Sequence, residues 1–175
     1  MACLLTSGRA LPCKNSVGGL KAVYFADYGT LGDVTLVGGE ITAIAGTPDF
    51  FKYDIKGSSS LETAITSSRE NGTTFYTQTL NLTLTTLDKA TQEEIKLLSV
   101  SRPHIAVEDY NGNFFLVGLE HGAEVTGGSI ASGASMADAS SFSLTFEAME
   151  KSPANFTVST VVTANESSTQ IDPNA

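Results

Sequence analysis

The stretch TTFYTQTLNLTLTT, residues 73–86, decides the fold. Apolar and polar positions alternate along it, the period of a half-buried strand. Tyr76, Leu80, Leu82 and Leu84 fall on one face; Thr73, Phe75, Thr77, Thr79, Asn81, Thr83 and Thr85 fall on the other. The first face belongs against a core, and the second is polar and uncharged but for one Phe. At about 3.3 Å per residue the segment would extend roughly 46 Å, against about 17–20 Å for an ordinary strand. Such a strand overshoots a compact domain, unless the chain bends near Gln78 and makes two shorter strands.

On the N-terminal side, residues 21–26 predict a short strand. Residues 34–37 and 40–44 flank Gly38 and Gly39, a two-residue hairpin turn. Residues 50–56 and 61–66 flank Gly57, Ser58, Ser59 and Ser60, which predict a second hairpin with a polar tip. On the C-terminal side, Thr91-Gln-Glu-Glu94 has the capping-box pattern, with Ala90 and Ile95 as the hydrophobic staple. A helix of two to three turns would run on through Leu97 and Leu98 and stop before Pro103. Too short to be stable alone, it must pack its Ile95/Leu98 side on a sheet.

Residues 104–110 and 113–119 flank Asn111-Gly112, the strongest short hairpin signal in the chain, with Ile105, Val107, Phe115 and Val117 expected to face inward. Residues 120–140, rich in Gly, Ala and Ser, predict a long connection or a pair of irregular edge strands. Residues 141–149 alternate again, with Phe142, Leu144, Phe146 and Ala148 inward, and residues 155–162 predict a last strand. The expected fold is mainly β, a sandwich or barrel of about eight or more strands with one short helix. Residues 1–163 form one domain with an N-terminal arm over 1–20. Residues 164–175 form an extended tail, disordered or held only by a partner.

The chain has 175 residues, 41% hydrophobic and only 17% charged, so disorder throughout is excluded. Its formal charge of -9 excludes a protein that grips nucleic acid or an anionic membrane surface, since both depend on Lys and Arg. The acid is uneven: residues 1–100 carry 8 basic and 10 acidic groups, residues 101–175 carry 2 and 9. Cys3 and Cys13 make no disulfide framework. The start MACLLTSGR lacks the basic and apolar regions of a signal peptide, and no run approaches the ~20 apolar residues of a membrane helix. A soluble protein made in a cytoplasm is expected. The sequons at Asn71, Asn81, Asn155 and Asn165 carry little weight in a Thr-rich chain without a secretory signal.

Groups for catalysis are scarce. His104 and His121 are the only imidazoles, and neither has a second His or Cys at metal-ligand spacing. Asp109, Asn111 and Asn113 echo a calcium loop but lack its later Gly and bidentate Glu, and a hairpin turn explains the same residues. The Gly-rich run at 127–133 is not followed by the Lys of a phosphate loop, and no Ser sits in Gly-x-Ser-x-Gly. No enzyme, cofactor or metal is expected. Surface remains: residues 71–86 contain neither the Lys nor the Pro that blunts open sheet edges. The Thr face and edges are therefore expected to be covered by copies of the same chain.

The run LLSVSRPHIAVEDYNGNFFLVGLEHG, residues 97–122, resembles bacteriophage tail tube and related virion structural proteins. In these a short helix leads to a strand, an Asp-x-Asn-Gly hairpin and a Leu-Val-Gly…Gly strand. Residues 125–133, SLTFEAME at 143–150 and Pro153-Ala154 are similar to their closing strands. The likeness covers about residues 75–160; the first 70 residues and the tail fall outside it.

The resemblance implies hexameric rings stacked into a hollow tube, with strands from each subunit closing an inner β-barrel and the helix packed outside. DNA passes through an acidic lumen without specific binding. Partners would be the chain itself and other tail proteins, in a virion tail assembled in the bacterial host cytoplasm; contractile injection tubes share the plan. Self-assembly contacts are expected at Gly57, Ser58, Ser59, Ser60, Thr77, Thr79 and Thr83, with residues 3–19 and the tail as further ring-to-ring candidates. Lumen acids are expected among Glu108, Asp109, Glu120, Glu124 and Glu147. A head–tail connector or capsid decoration protein is the alternative within virions. A carbohydrate-binding sandwich is disfavoured because the chain has no Trp and its Phe and Tyr fall mostly inward or beside turns.

Overall fold

The computed structural model describes residues 3–174. Two sheets face each other. One has seven strands in the order β2-β3-β11-β8-β7-β1-β4, the other four in the order β5-β6-β10-β9. The strands are β1 (Leu20–Ala26), β2 (Val34–Val37), β3 (Glu40–Ile44), β4 (Phe51–Asp54), β5 (Ser60–Ser68), β6 (Thr73–Thr85), β7 (His104–Asp109), β8 (Phe114–Val117), β9 (Glu124–Ala131), β10 (Ser141–Glu150) and β11 (Asn155–Thr157). Helix α1 (Lys89–Val100) connects β6 to β7, and α2 (Ser159–Thr163) follows β11. The chain is thus mainly β, a sandwich as expected, with a second short helix added. No helix among the described residues is long and apolar enough to cross a membrane.

The segment at 73–86 folds as one strand of thirteen residues, unbroken at Gln78. It pairs antiparallel with β10 along that strand's whole length, from Ser141↔Thr85 to Glu150↔Tyr76. Leu80, Leu82 and Leu84 therefore lie beside Phe146, Leu144 and Phe142, and all six are buried. Against them the larger sheet sets Val23, Phe25, Ile105, Val107 and Val117, with Ile95 of α1 closing the side and Leu98 packed next to it. The Phe25 and Phe146 rings meet across the layers at 5.3 Å. The overshoot is real. Beyond this core the β5–β6 hairpin projects free, so that Ile65 is 67% exposed although it points to the inner side.

Alternation had implied one buried face per strand, but the seven-stranded sheet is covered on both. Its second face carries Ala22, Tyr24, Ala26, Ala106, Phe114 and Leu116, packed with Leu31, Ile41, Phe50 and Val162. Phe114 and Leu116 are thus buried. Phe115, expected in the core, is only half-buried and packs on Phe156 at 4.7 Å between ring centres.

Several local expectations change. Residues 57–60 are not a hairpin tip: β4 pairs with β1 in the larger sheet and β5 with β6 in the smaller, so this segment crosses between layers. Helix α1 is capped three residues before the expected position. Asp88 caps it, its carboxylate accepting the Thr91 amide at 2.8 Å; a carboxylate caps a helix as well as or better than Thr. Residues 155–162 form only a three-residue strand before turning into α2. The tail is held by its own chain: the Phe50 amide donates to the Asn165 carbonyl at 2.9 Å and the Ser167 amide to the Phe50 carbonyl at 2.8 Å. Of the Gly-rich stretch at 120–140, residues 124–131 form the edge strand β9. The hairpin at Gly38-Gly39 stands as read, both glycines having positive φ (62° and 85°), the conformation a type I′ turn demands.

A buried amide ties the layers together. The Gln78 side chain accepts from the Gly118 amide at 3.1 Å and donates to the Ser152 carbonyl at 3.1 Å. Replacing it with Leu leaves both backbone groups without a partner. Gln78→Leu is expected to lower unfolding free energy by about 1–3 kcal/mol in urea titration, with an unchanged m-value.

Candidate functional site

The outer face of the four-stranded sheet is a regular surface that carries acid and no base. Register places Glu62 of β5 opposite Thr79 of β6, Thr79 opposite Glu147 of β10, and Glu147 opposite Glu124 of β9. Three carboxylates therefore cross the sheet in one row. The rest of the face is Ser60, Ala64, Thr66 and Ser68 on β5, Thr73, Phe75, Thr77, Asn81, Thr83 and Thr85 on β6, Ser141, Ser143, Thr145 and Met149 on β10, and Gly127, Ser129 and Ala131 on β9, so that Phe75 and Met149 are its two large apolar side chains. No Lys or Arg occurs in any of the four strands. Among the described residues none of the three glutamates has an ion-pair partner.

Like charges directly opposite one another destabilise a sheet, and Glu124 and Glu147 are so placed. A local rule broken without compensation points to a functional demand on the surface. β5 and β9 end this sheet on its two sides, with α1 packed beside β9. The edge strands β5 and β9 contain neither Lys nor Pro, the usual guards against pairing with another chain.

The structure sorts the expected lumen acids into two groups. Glu124 and Glu147 join the row, together with Glu62, which had not been singled out. Its parity with Ala64 and Thr66 was legible, but its alignment with Glu147 depends on the pairing of three strands. Glu108 is on the other layer and buried, accepting from Lys21 Nζ at 2.9 Å and from the Tyr24 hydroxyl at 3.3 Å. This bond and the nearby charge of Glu108 raise the Lys21 pKa. Burial, with Glu108 beside it, raises that of Tyr24. Glu108 is therefore a structural acid and not a free wall charge. Asp109 is consumed by its turn, its Oδ1 accepting the amides of Asn111 (2.9 Å) and Asn113 (2.8 Å). Glu120 is exposed in the loop after β8.

The expected assembly residues divide similarly. Thr77, Thr79 and Thr83 lie on the outer face of β6, an interior strand paired on both sides within the chain, so they belong to the face and not to an edge. Ser58 and Ser59 are occupied: the Ser59 hydroxyl accepts the Thr83 amide at 3.1 Å and the Ser58 carbonyl accepts the Thr83 hydroxyl at 3.3 Å. Ser59 is buried, Ser60 opens β5, and Gly57 is exposed at the crossing between layers. The segment that does project is the β5–β6 turn over residues 69–72. The arm over residues 3–16 is exposed along its whole length, Leu4, Leu5 and Leu11 included, and Cys3 and Cys13 are free thiols.

His104 is structural. Nδ1 lies 2.6 Å from the Gly118 carbonyl, and Nε2 accepts the Gly29 amide at 3.1 Å. The neutral ring with its proton on Nδ1 satisfies both contacts, and burial lowers its pKa. Comparison with protein-family models, curated proteins and solved structures finds no match.

Two outcomes follow from this geometry. Glu147→Gln removes the facing charge of Glu124 and is expected to raise stability by about 0.2–1 kcal/mol, measured by denaturant unfolding at low salt. Because the folded protein holds His104 with a lowered pKa, the unfolded chain binds more protons in acid. The His104 contribution is complete above about pH 6.5, the ordinary His value, and is lost as pH falls below it. Melting temperature should fall over that range, and less steeply in His104→Gln.

Proposed function

We propose that the chain is a structural subunit of a bacteriophage tail tube, self-assembling into stacked rings around a DNA conduit. The observation that carries this reading is the four-stranded sheet: two edge strands without Lys or Pro and an outer face whose only charges are Glu62, Glu124 and Glu147. Pairing β9 of one copy with β5 of the next continues the sheet from subunit to subunit. Closure of the ring removes both edges of this sheet.

Six copies, the number the family resemblance implies, would contribute twenty-four strands, four each. At about 4.8 Å between strands and a tilt of about 40°, the barrel would measure about 48 Å across its backbone. That leaves a lumen wide enough for a duplex after side chains are counted. The seven-stranded sheet and α1 would form the outer layer.

The acidic row then faces the passing DNA. The Debye length is about 8 Å at physiological salt, so only charges on that wall act on the duplex at close range. Carboxylates without basic neighbours repel phosphates, and the Thr and Ser around them offer no cation to hold one. The projecting β5–β6 hairpin and the exposed arm over residues 3–16 are suited to reach the next ring. The full chain would serve in the virion tail, alongside other tail proteins.

Negative-stain microscopy of the purified chain tests the reading. Tubes or sixfold rings are expected; a stable monomer overturns it and favours a connector or decoration protein. Thr126→Pro is the sharper variant. Thr126 sits at the bulge in β9, where Pro is tolerated within the subunit but blocks an outside edge. The variant is expected to fold with a near-normal melting temperature and to form no rings.

A further inference from the structure

A second cluster of ionisable groups lies away from the acidic row, where the loop after β8 meets the end of β10. Glu120 and His121 belong to that loop, and Glu150 is the last residue of β10. One ligand atom from each lies within 4.8 Å of the other two. His121 Nε2 is 3.9 Å from Glu120 Oε2, and both of these side chains are more than half exposed. Glu150 is different, with 4% of its surface accessible. Its Oε1 accepts the amides of Glu120 (3.2 Å) and His121 (2.9 Å), which fixes the carboxylate in place. Its Oε2 accepts no hydrogen bond among the described residues but reaches the surface, and no Lys or Arg there pairs with either oxygen.

A carboxylate held with one oxygen buried and one at the surface, beside a second carboxylate and without a basic partner, is short of positive charge. A multivalent cation supplies that charge, and the imidazole selects its kind. We propose that Glu120, His121 and Glu150 bind one first-row divalent cation of the zinc type per chain. One imidazole nitrogen and two carboxylate oxygens suit Zn²⁺, Mn²⁺ or Co²⁺, whereas Ca²⁺ and Mg²⁺ take oxygen alone. Three protein ligands leave a position for water. Ligands about 2.0–2.1 Å from a tetrahedral ion stand about 3.4 Å apart, so the two exposed side chains close on the fixed Glu150 by rotamer change.

The ion would join the two layers at a point neither core covers. The loop belongs to the larger sheet through β8, whereas β10 belongs to the smaller. Neighbours in sequence hide the site, because Glu120 and His121 need a ligand from thirty residues further on. Nothing in this site depends on the tube reading.

Zinc titration calorimetry on the full chain carrying Cys3→Ser and Cys13→Ser, which removes competing thiols, tests the proposal. One Zn²⁺ per chain is expected, with a rise in melting temperature at saturation and no equivalent uptake of Ca²⁺. His121→Ala, which deletes an exposed ring, should weaken uptake at least tenfold and abolish the thermal shift while leaving the metal-free melting temperature unchanged. Glu150→Gln should weaken it likewise. No uptake, uptake of several ions per chain, equal affinity for Ca²⁺, or uptake unchanged in His121→Ala would overturn it.

Discussion

The antiparallel pairing of β6 with β10 is the constraint on which the rest of the structure depends. The two strands are in register over the full length of β10, so one shift by a single residue would exchange every inward Leu and Phe for an outward Thr, Ser or Glu. Because Leu80, Leu82, Leu84, Phe142, Leu144 and Phe146 must all be buried together, that shift is forbidden. The same condition fixes the outer face. Glu147 is brought to the level of Thr79, and through the neighbouring pairings to Glu62 and Glu124. Core packing on one side thus sets the charge pattern on the other.

The larger sheet supports this ribbon. With both faces covered, its central strands are apolar nearly throughout, as strands buried on both sides are. The polar groups that do enter it are matched. Glu108 meets Lys21 and Tyr24, and His104 takes one backbone contact at each ring nitrogen. Gln78 then couples the sheets through Gly118 and Ser152. Gly118 has no room for a side chain, since a Cβ there would lie 2.6 Å from the Gly122 carbonyl carbon. The buried polar groups of the larger layer are therefore matched, while Glu62, Glu124 and Glu147 of the smaller layer have no ion-pair partner among the described residues.

Much was legible in the sequence wherever one strand met one core. The alternation at 73–86 and 141–149, the Gly38-Gly39 and Asn111-Gly112 turns, and the Ile95/Leu98 side of the helix all reappear in the fold. Reading failed where two layers compete for a segment. Residues 57–60 have hairpin composition, but Phe51–Asp54 and Ser60–Ser68 are claimed by different sheets. Thr91 looked like a cap because Glu94 follows it, yet Asp88 lay one turn earlier with a stronger acceptor. The tail looked free because its polarity is ordinary for a loose end, and its anchor at Phe50 consists of backbone hydrogen bonds that no side-chain pattern announces.

For the candidate site the division is equally physical. By itself the sequence determined that the chain is mainly β, that Thr77, Thr79 and Thr83 share one polar face, and that Glu147 is an acid in an alternating strand. Those facts follow from periodicity, which is local. Only the tertiary structure decided that Glu62 completes a row with Glu147 and Glu124, that Glu108 is neutralised by Lys21, and that Glu150 comes beside Glu120 and His121. Each of these depends on strand order and register, which arise from burying distant segments together and leave no mark on the spacing of any one of them.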